Sequence, residues 1–170
     1  MISIGRLEYE KGHDLLIESL ARMDDDLYLI LVGSGSRRQK LEYQVREKGL
    51  DGRVFFAGFQ QNPFALTRHA ALFVFPSRYE GFGSAIVEAL ACGLPVVTFA
   101  GPTAGREIIT PGFNGFLAEE INPEKLAGAI QSAMSHTFDP AAIAEDARKR
   151  FDVGRVVKKY EDVFENVKPF

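Results

Sequence analysis

Residues 72–98 read LFVFPSRYEGFGSAIVEALACGLPVVT, and this stretch decides the fold. Leu72 to Phe75 is a short, wholly apolar run with the aromatic and β-branched content of a buried strand, and Pro76 ends it. Gly81 and Gly83 then punctuate a polar loop, Ser84 to Cys92 has the length and small apolar content of a helix, and Pro95 to Thr98 is a second β-rich run. A strand, a crossover helix and another strand make a βαβ unit, whose two strands lie parallel in one sheet.

The same alternation extends outward from this unit. Strands are predicted at Ile2 to Ile4, Leu27 to Val32, Val54 to Ala57 and Gly115 to Leu117, with helices at His13 to Arg22, Ser36 to Lys48, Pro63 to His69 and Ala104 to Ile109. The tail turns helical. Pro123 suits the first turn of a helix reaching Ser135, Asp139-Pro140 can start another to Arg150, and a last one begins at Asp152. The expected fold is α/β: a Rossmann-like three-layer sandwich around a six-stranded parallel sheet, with a helical C-terminal tail.

With 170 residues, 46% of them apolar and 25% charged, the chain is sized for one domain with one core and has no disordered bias. A net charge of −3 and a pI near 5.7 argue against nucleic acid as a partner and leave any anion to be held locally. The single cysteine, Cys92, is read as a buried, inert thiol in a reducing cytoplasm. No basic leader or spanning apolar stretch opens the chain, and a strand starting at the second residue points to a preceding segment that is absent here.

In an open parallel sheet, ligands bind outside the carboxyl ends of the strands, so the loops there are the places to search. Gly33-Ser34-Gly35-Ser36-Arg37-Arg38 is not a dinucleotide fingerprint, because Arg38 holds the third glycine position and no acidic residue lies about twenty positions on. It is either a tight turn or a turn that also brings a ligand close to the backbone. After the first strand, Arg6 and Lys11 could grip two phosphates beside a helix start, or be surface cations next to Glu8 and Glu10. In the fourth loop, Glu80 sits in a glycine-rich turn, and Glu88 falls among small and apolar helix residues, where a buried carboxylate would need a partner such as ribose hydroxyls. Asp24-Asp25-Asp26 invites a metal reading, but it precedes the second strand, at the opposite edge of the sheet; no metal is expected. His13, His69 and His136 share no ligand spacing.

Several blocks together resemble the group 1 (family 4) glycosyltransferases: Ile4-Gly5-Arg6-Leu7 with Lys11-Gly12, Leu31-Val32-Gly33-Ser34-Gly35, Val54-Phe55-Phe56-Ala57-Gly58, Pro76-Ser77, the Glu80 to Glu88 spacing running on to Val97, and Gly112-Phe113-Asn114-Gly115-Phe116. They occur in that family's order over nearly the whole chain. The resemblance implies one half of a GT-B fold: the nucleotide-sugar-binding domain of a retaining hexosyltransferase, spanning 1–170, with the N-terminal acceptor-binding domain absent and the isolated domain inactive alone.

The resemblance also implies roles for particular residues. Arg6 and Lys11 match the diphosphate-binding pair, Glu80 the acidic residue on the donor sugar, and Glu88 the carboxylate that holds the ribose. Gly81, Phe82, Gly83 and Ser84 surround sugar and phosphate, Phe59 and Gln60 line the base pocket, and Gly5, Gly33, Gly35 and Ser77 complete the binding set. Ser84 departs from the larger apolar residue common there. Gly101-Pro102-Thr103-Ala104-Gly105-Arg106-Glu107 resembles a subset that assembles bacterial surface polysaccharides, which implies a UDP-hexose donor, no cofactor, and a full-length enzyme compatible with peripheral association at the inner face of the membrane. Two other readings stay open: a sugar-nucleotide epimerase of the same architecture, and a non-catalytic sugar-nucleotide-binding module of a split enzyme.

Overall fold

The structure is a computed structural model and describes residues 1–24, 26–101 and 105–166. Among these the chain forms six strands, β1 (Ile2–Ile4), β2 (Leu29–Val32), β3 (Val54–Gly58), β4 (Phe73–Phe75), β5 (Val96–Phe99) and β6 (Gly115–Ala118). They make one sheet in the order β3-β2-β1-β4-β5-β6, every neighbouring pair parallel. This is the doubly wound order, in which the chain works outward from β1 to one edge and then returns to add β4 on β1's other side. The switch point between β1 and β4 leaves a crevice outside their carboxyl ends.

Among the described residues, seven α-helices cover the sheet and continue beyond it: α1 (His13–Leu20), α2 (Arg38–Glu47), α3 (Ser84–Ala91), α4 (Gly105–Ile108), α5 (Pro123–Met134), α6 (Pro140–Phe151) and α7 (Val153–Asn166). Alternation along the strands sorts their side chains onto two faces. Leu29, Leu31, Val74 and Val97 join Leu16, Ile17 and Leu20 of α1, Leu41 and Val45 of α2, and Leu126 and Ile130 of α5 in one buried cluster. Ile2, Val32, Phe73, Phe75 and Val96 join Ile86 and Leu90 of α3, Ile108 of α4, and Ile143 and Ala147 of α6 in the other. These are the three expected layers.

Local chemistry fixes where the helices start and stop. Asn122 and Asp139 each accept two backbone N–H groups at the starts of α5 and α6, where Pro123 and Pro140 occupy the first turn. At the end of α2, Gly49 donates to the Arg46 carbonyl and Leu50 to that of Val45, closing the helix in a Schellman motif.

Two expectations change, and one falls partly outside the described residues. The helix expected over Pro63 to His69 is instead two successive 3₁₀ turns, Pro63–Ala65 and Thr67–His69, because the segment is short and its N–H groups reach carbonyls three residues back. Cys92 is exposed: it stands at the C-cap of α3, beyond Ile86, Ala89 and Leu90, which meet the sheet. Ala104, expected to start a helix, lies outside the described residues together with Pro102 and Thr103, and α4 is described from Gly105.

Helix α7 has no buried residue among those described. Val156, Tyr160, Val163 and Phe164, which recur with Val167 at helical spacing in the sequence, are all exposed, and Val167 lies outside the described residues.

Two glycines let the loops at the carboxyl edge touch. At Gly12 (φ 66°) an added Cβ would stand 1.9 Å from the Pro76 carbonyl oxygen, and at Gly33 (φ 141°) one would stand 2.0 Å from that of Gly5. Gly52 shares the left-handed conformation (φ 80°) with nothing within 4 Å of the added atom. The expected cost of Gly52→Ala is therefore the backbone strain alone, roughly 1–2 kcal/mol. Gly12→Ala, which adds overlap with a backbone carbonyl, should cost about 3 kcal/mol or more by urea denaturation. Equal losses at the two sites would show that the approach of residues 12 and 76 is not tight.

Candidate functional site

The chain leaves β1 at Gly5 and turns through Arg6 to Gly12 before α1, with a 3₁₀ turn at Tyr9–Lys11. On the other side of the switch point it leaves β4 at Pro76 and reaches α3 through Glu80 and Gly83. A cavity of about 310 Å³ lies between them, lined by Ile4, Gly5, Arg6, Lys11, Phe75, Glu80, Gly83, Ser84 and Ala85. Residues far apart in the sequence thus meet at the place where an open parallel sheet binds ligands.

The charged groups there are paired. Lys11 Nζ stands 2.5 Å from Glu80 Oε2, with both side chains largely buried. Arg6 donates to Glu10 at 2.6 Å one turn on, and its side chain is 71% exposed, so it is free to swing. Glu8 points elsewhere: it accepts from the Ser36 amide and hydroxyl, and these bonds lower its carboxyl below the usual range.

A smaller, mostly apolar cavity of about 200 Å³ adjoins the first, sharing Ile4, Gly5 and Arg6 with it and adding Val32, Gly33, Ser34, Phe59, Gln60 and Pro63. Phe59 is 73% exposed, and Gln60 is held at the mouth by donating to the Ala57 carbonyl. A mostly apolar slot beside a pocket that holds two cations has the form of a site for a planar ring carrying phosphates.

A groove of about 590 Å³ shares Ser84 with the first cavity and lies between Phe82, Val87 and Glu88 on one wall and Arg150, Phe151, Val156, Lys159 and Tyr160 on the other. Glu88 is exposed there, on the face of α3 turned away from the sheet. The burial expected from its apolar neighbours does not arise, because Ile86, Ala89 and Leu90 take the inward face and leave position 88 outside.

Of the candidates, Gly5, Arg6, Lys11, Glu80, Gly83 and Ser84 share one cavity, Gly33, Phe59 and Gln60 line the second, and Phe82 and Glu88 line the third. Gly35, Ser77 and Gly81 line none of the three. Gly35 has a packing reason, since an added Cβ would overlap the backbone of Leu7, and Ser77 is buried with its hydroxyl unpartnered. Asp24 and Asp26 lie before β2, at the amino edge, and Asp25 is outside the described residues.

The sequence reading missed a cluster beside Lys11. Arg78, 8% exposed, donates through both terminal nitrogens to the two oxygens of Asp14, at 2.8 and 2.9 Å, and to the Tyr9 carbonyl at 2.8 Å. Arg37 approaches the same carboxylate at 3.7 Å, and the Tyr9 ring lies within reach of both guanidiniums. Burial alone would raise the Asp14 carboxyl, but the Arg78 hydrogen bonds, with the charges of Arg78 and Arg37, outweigh it and hold the group below its usual value. Arg78 is 64 residues from Asp14, and no local pattern relates them. His13, at the start of α1, is pushed down to about 4 by burial against the raising effect of Asp14, so it is neutral near pH 7. His69 accepts from Arg68, and His136 packs edge-on against Phe116 and Phe138.

Another concavity, about 470 Å³, lies at the amino edge between residues 92–95 and 136–140. Its lining comes from the segments that run into β4 and β5 and from the link between α5 and α6. Among the described residues, no helix is long and apolar enough to cross a membrane.

Comparison with known proteins agrees with this fold. An N-acetylgalactosaminyltransferase of Campylobacter jejuni, named for a diphospho-undecaprenol substrate, is 30% identical over 165 residues, covering 88% of this chain and 45% of the relative. The poly(glycerol-phosphate) alpha-glucosyltransferase of Bacillus subtilis is 32% identical over 139 residues, covering 82% of this chain and 20% of the relative. The Anabaena protein HepE, solved in complex with UDP, superposes with a TM-score of 0.86 at 30% identity, covering 98% of this chain and 48% of its own. The chain thus spans less than half the length of these relatives, and its fold is one Rossmann-like half of the GT-B architecture. The sequence pattern of the family described as "Glycosyl transferases group 1" matches residues 1–150, and the chain belongs to that family.

Proposed function

We propose that this chain is the donor-binding half of a retaining glycosyltransferase, and that the cavity between β1 and β4 holds the diphosphate of a UDP-hexose. The observation that carries the reading is the meeting of Arg6, Lys11 and Glu80 in one cavity at the switch point, beside an apolar slot. Arg6 and Lys11 take the two phosphates, Glu80 orients the sugar, Glu88 holds the ribose from the outer face of α3, and the base enters the slot at Phe59 and Gln60. Anabaena HepE has also been solved with UDP-glucose, which supports a uridine donor and a hexose.

In the transfer, the bond from the sugar's anomeric carbon to the phosphate oxygen breaks and one to the acceptor oxygen forms on the same face. The acceptor's proton passes to the departing phosphate. Negative charge grows on the leaving diphosphate, and Arg6 and Lys11 stabilise it there without a metal. The acceptor is a glycan or lipid-linked sugar bound by a separate N-terminal domain, a reading supported by the naming of the Campylobacter relative and by the share of each relative's length that this chain covers. The apolar stripe of α7 packs on that domain, and the whole enzyme works at the cytoplasmic face of the membrane.

Calorimetry with UDP tests the site. Arg6→Ala, Lys11→Ala and Glu88→Ala are each expected to weaken binding by about 1.5–3 kcal/mol, the scale of a charge-assisted hydrogen bond. Parental affinity in all three folded variants would misplace the site. UDP affinity is expected to be the same with and without EDTA, and a large loss on chelation would return attention to the acidic residues before β2. With a UDP-hexose and a glycan acceptor, the isolated chain should bind the donor and transfer nothing. Product analysis by mass spectrometry checks this, and transfer by the chain alone would contradict the half-enzyme reading, as epimerisation would the transferase reading.

A further inference from the structure

Arg78 is a buried guanidinium outside the set of residues assigned to the donor. Buried ion pairs are a poor route to stability, because the cost of removing two charges from water consumes most of their attraction. What they supply reliably is geometry. The Arg78 fork meets Asp14 with two parallel hydrogen bonds, an arrangement with little angular freedom, and its remaining contacts go to the turn that carries Lys11. One terminal nitrogen donates to the Tyr9 carbonyl at 2.8 Å, and the backbone amide of Arg78 donates to the Glu10 carbonyl at 2.7 Å. The Tyr9 ring lies 4.2 Å from the guanidinium carbon.

The two residues immediately before Lys11 are therefore fastened to the residue two positions before Glu80. Lys11 and Glu80 meet at 2.5 Å across the cavity. We propose that Arg78 is a positioning residue for the phosphate site, holding the turn of residues 9–11 against the loop of residues 76–80 so that the Lys11 ammonium stands at the carboxyl end of β1. The inference rests on the donor-site reading above for its functional meaning, though the placement of Lys11 can be measured without a donor. Lysine cannot replace Arg78, because a single ammonium has no planar fork to engage both oxygens of Asp14 and a backbone carbonyl together.

The test uses the whole chain with Arg78→Lys, and Asp14→Asn as a variant that loosens the same contact from its other side should the first fail to fold. Two readouts are taken on folded protein: the rate at which Lys11 is acetylated by a small amine reagent, followed by mass spectrometry, and UDP affinity by calorimetry. Lys11 is expected to label several-fold faster in either variant while the remote Lys125 is unchanged, and UDP affinity should fall about tenfold, equivalent to about 1.4 kcal/mol. In a Lys11→Ala background, Arg78→Lys should cost no further affinity, since the effect runs through Lys11. Parental Lys11 labelling in a folded variant, or an undiminished affinity loss in the Lys11→Ala background, would overturn the proposal. Were the parent chain not to bind UDP, the donor-site reading would fall while the Lys11 labelling rate still decided whether Arg78 positions that side chain.

Discussion

The loop of residues 5–12 lies against both of its neighbours at backbone contact, and the rest of the site depends on that approach. On one side Leu7 donates to the Ser34 carbonyl and Arg37 returns a bond to that of Leu7, while Glu8 takes the Ser36 amide and hydroxyl. On the other side Arg78 donates to the Glu10 carbonyl, and the Pro76 carbonyl sits where a side chain at position 12 would begin. Three loops from strands that are adjacent in space, but distant in sequence, become one surface. A side chain longer than hydrogen at these contacts would separate strand ends that the sheet holds at fixed spacing.

The charges on this surface are balanced among themselves. Arg6 is held by Glu10, Lys11 by Glu80, and Arg78 by Asp14, so an arriving diphosphate exchanges one anionic partner for another instead of meeting bare cations. The gain of each contact is then a difference between two ionic hydrogen bonds, and it stays at the scale of a single charge-assisted bond in water. The pairs differ in how readily they yield. Arg6 is mostly in water and can turn from Glu10 at small cost, whereas the Arg78 fork is enclosed and serves as a fixed point.

The exposed apolar residues of α7 follow from how the three layers close. The sheet's two faces are already covered by α1, α2 and α5 on one side and α3, α4 and α6 on the other, so α7 finds no free face of its own domain. Its first turns still help wall the groove that contains Glu88, through Val156, Lys159 and Tyr160.

The sequence by itself determined the layered α/β fold, since runs of β-branched and aromatic residues alternating with longer helical segments can be buried only in a parallel sheet covered on both faces. It placed all six strands to within two residues of their observed bounds, because glycine or proline follows all but the last of them, and it located the helix starts at Pro123 and Pro140. It also pointed to Arg6, Lys11 and Glu80, which belong to loops whose place at the carboxyl edge follows from strand direction alone. What only the tertiary structure decided is which side chains meet. Periodicity could not turn Glu88 or Cys92 outward, because a short helix of small residues has no strongly marked face until the sheet covers one side. The Asp14, Arg37 and Arg78 cluster was equally hidden, since its members come from the first turn of α1, the start of α2 and the loop after β4 and share no spacing, and they meet only because the strand order sets β1 between β2 and β4.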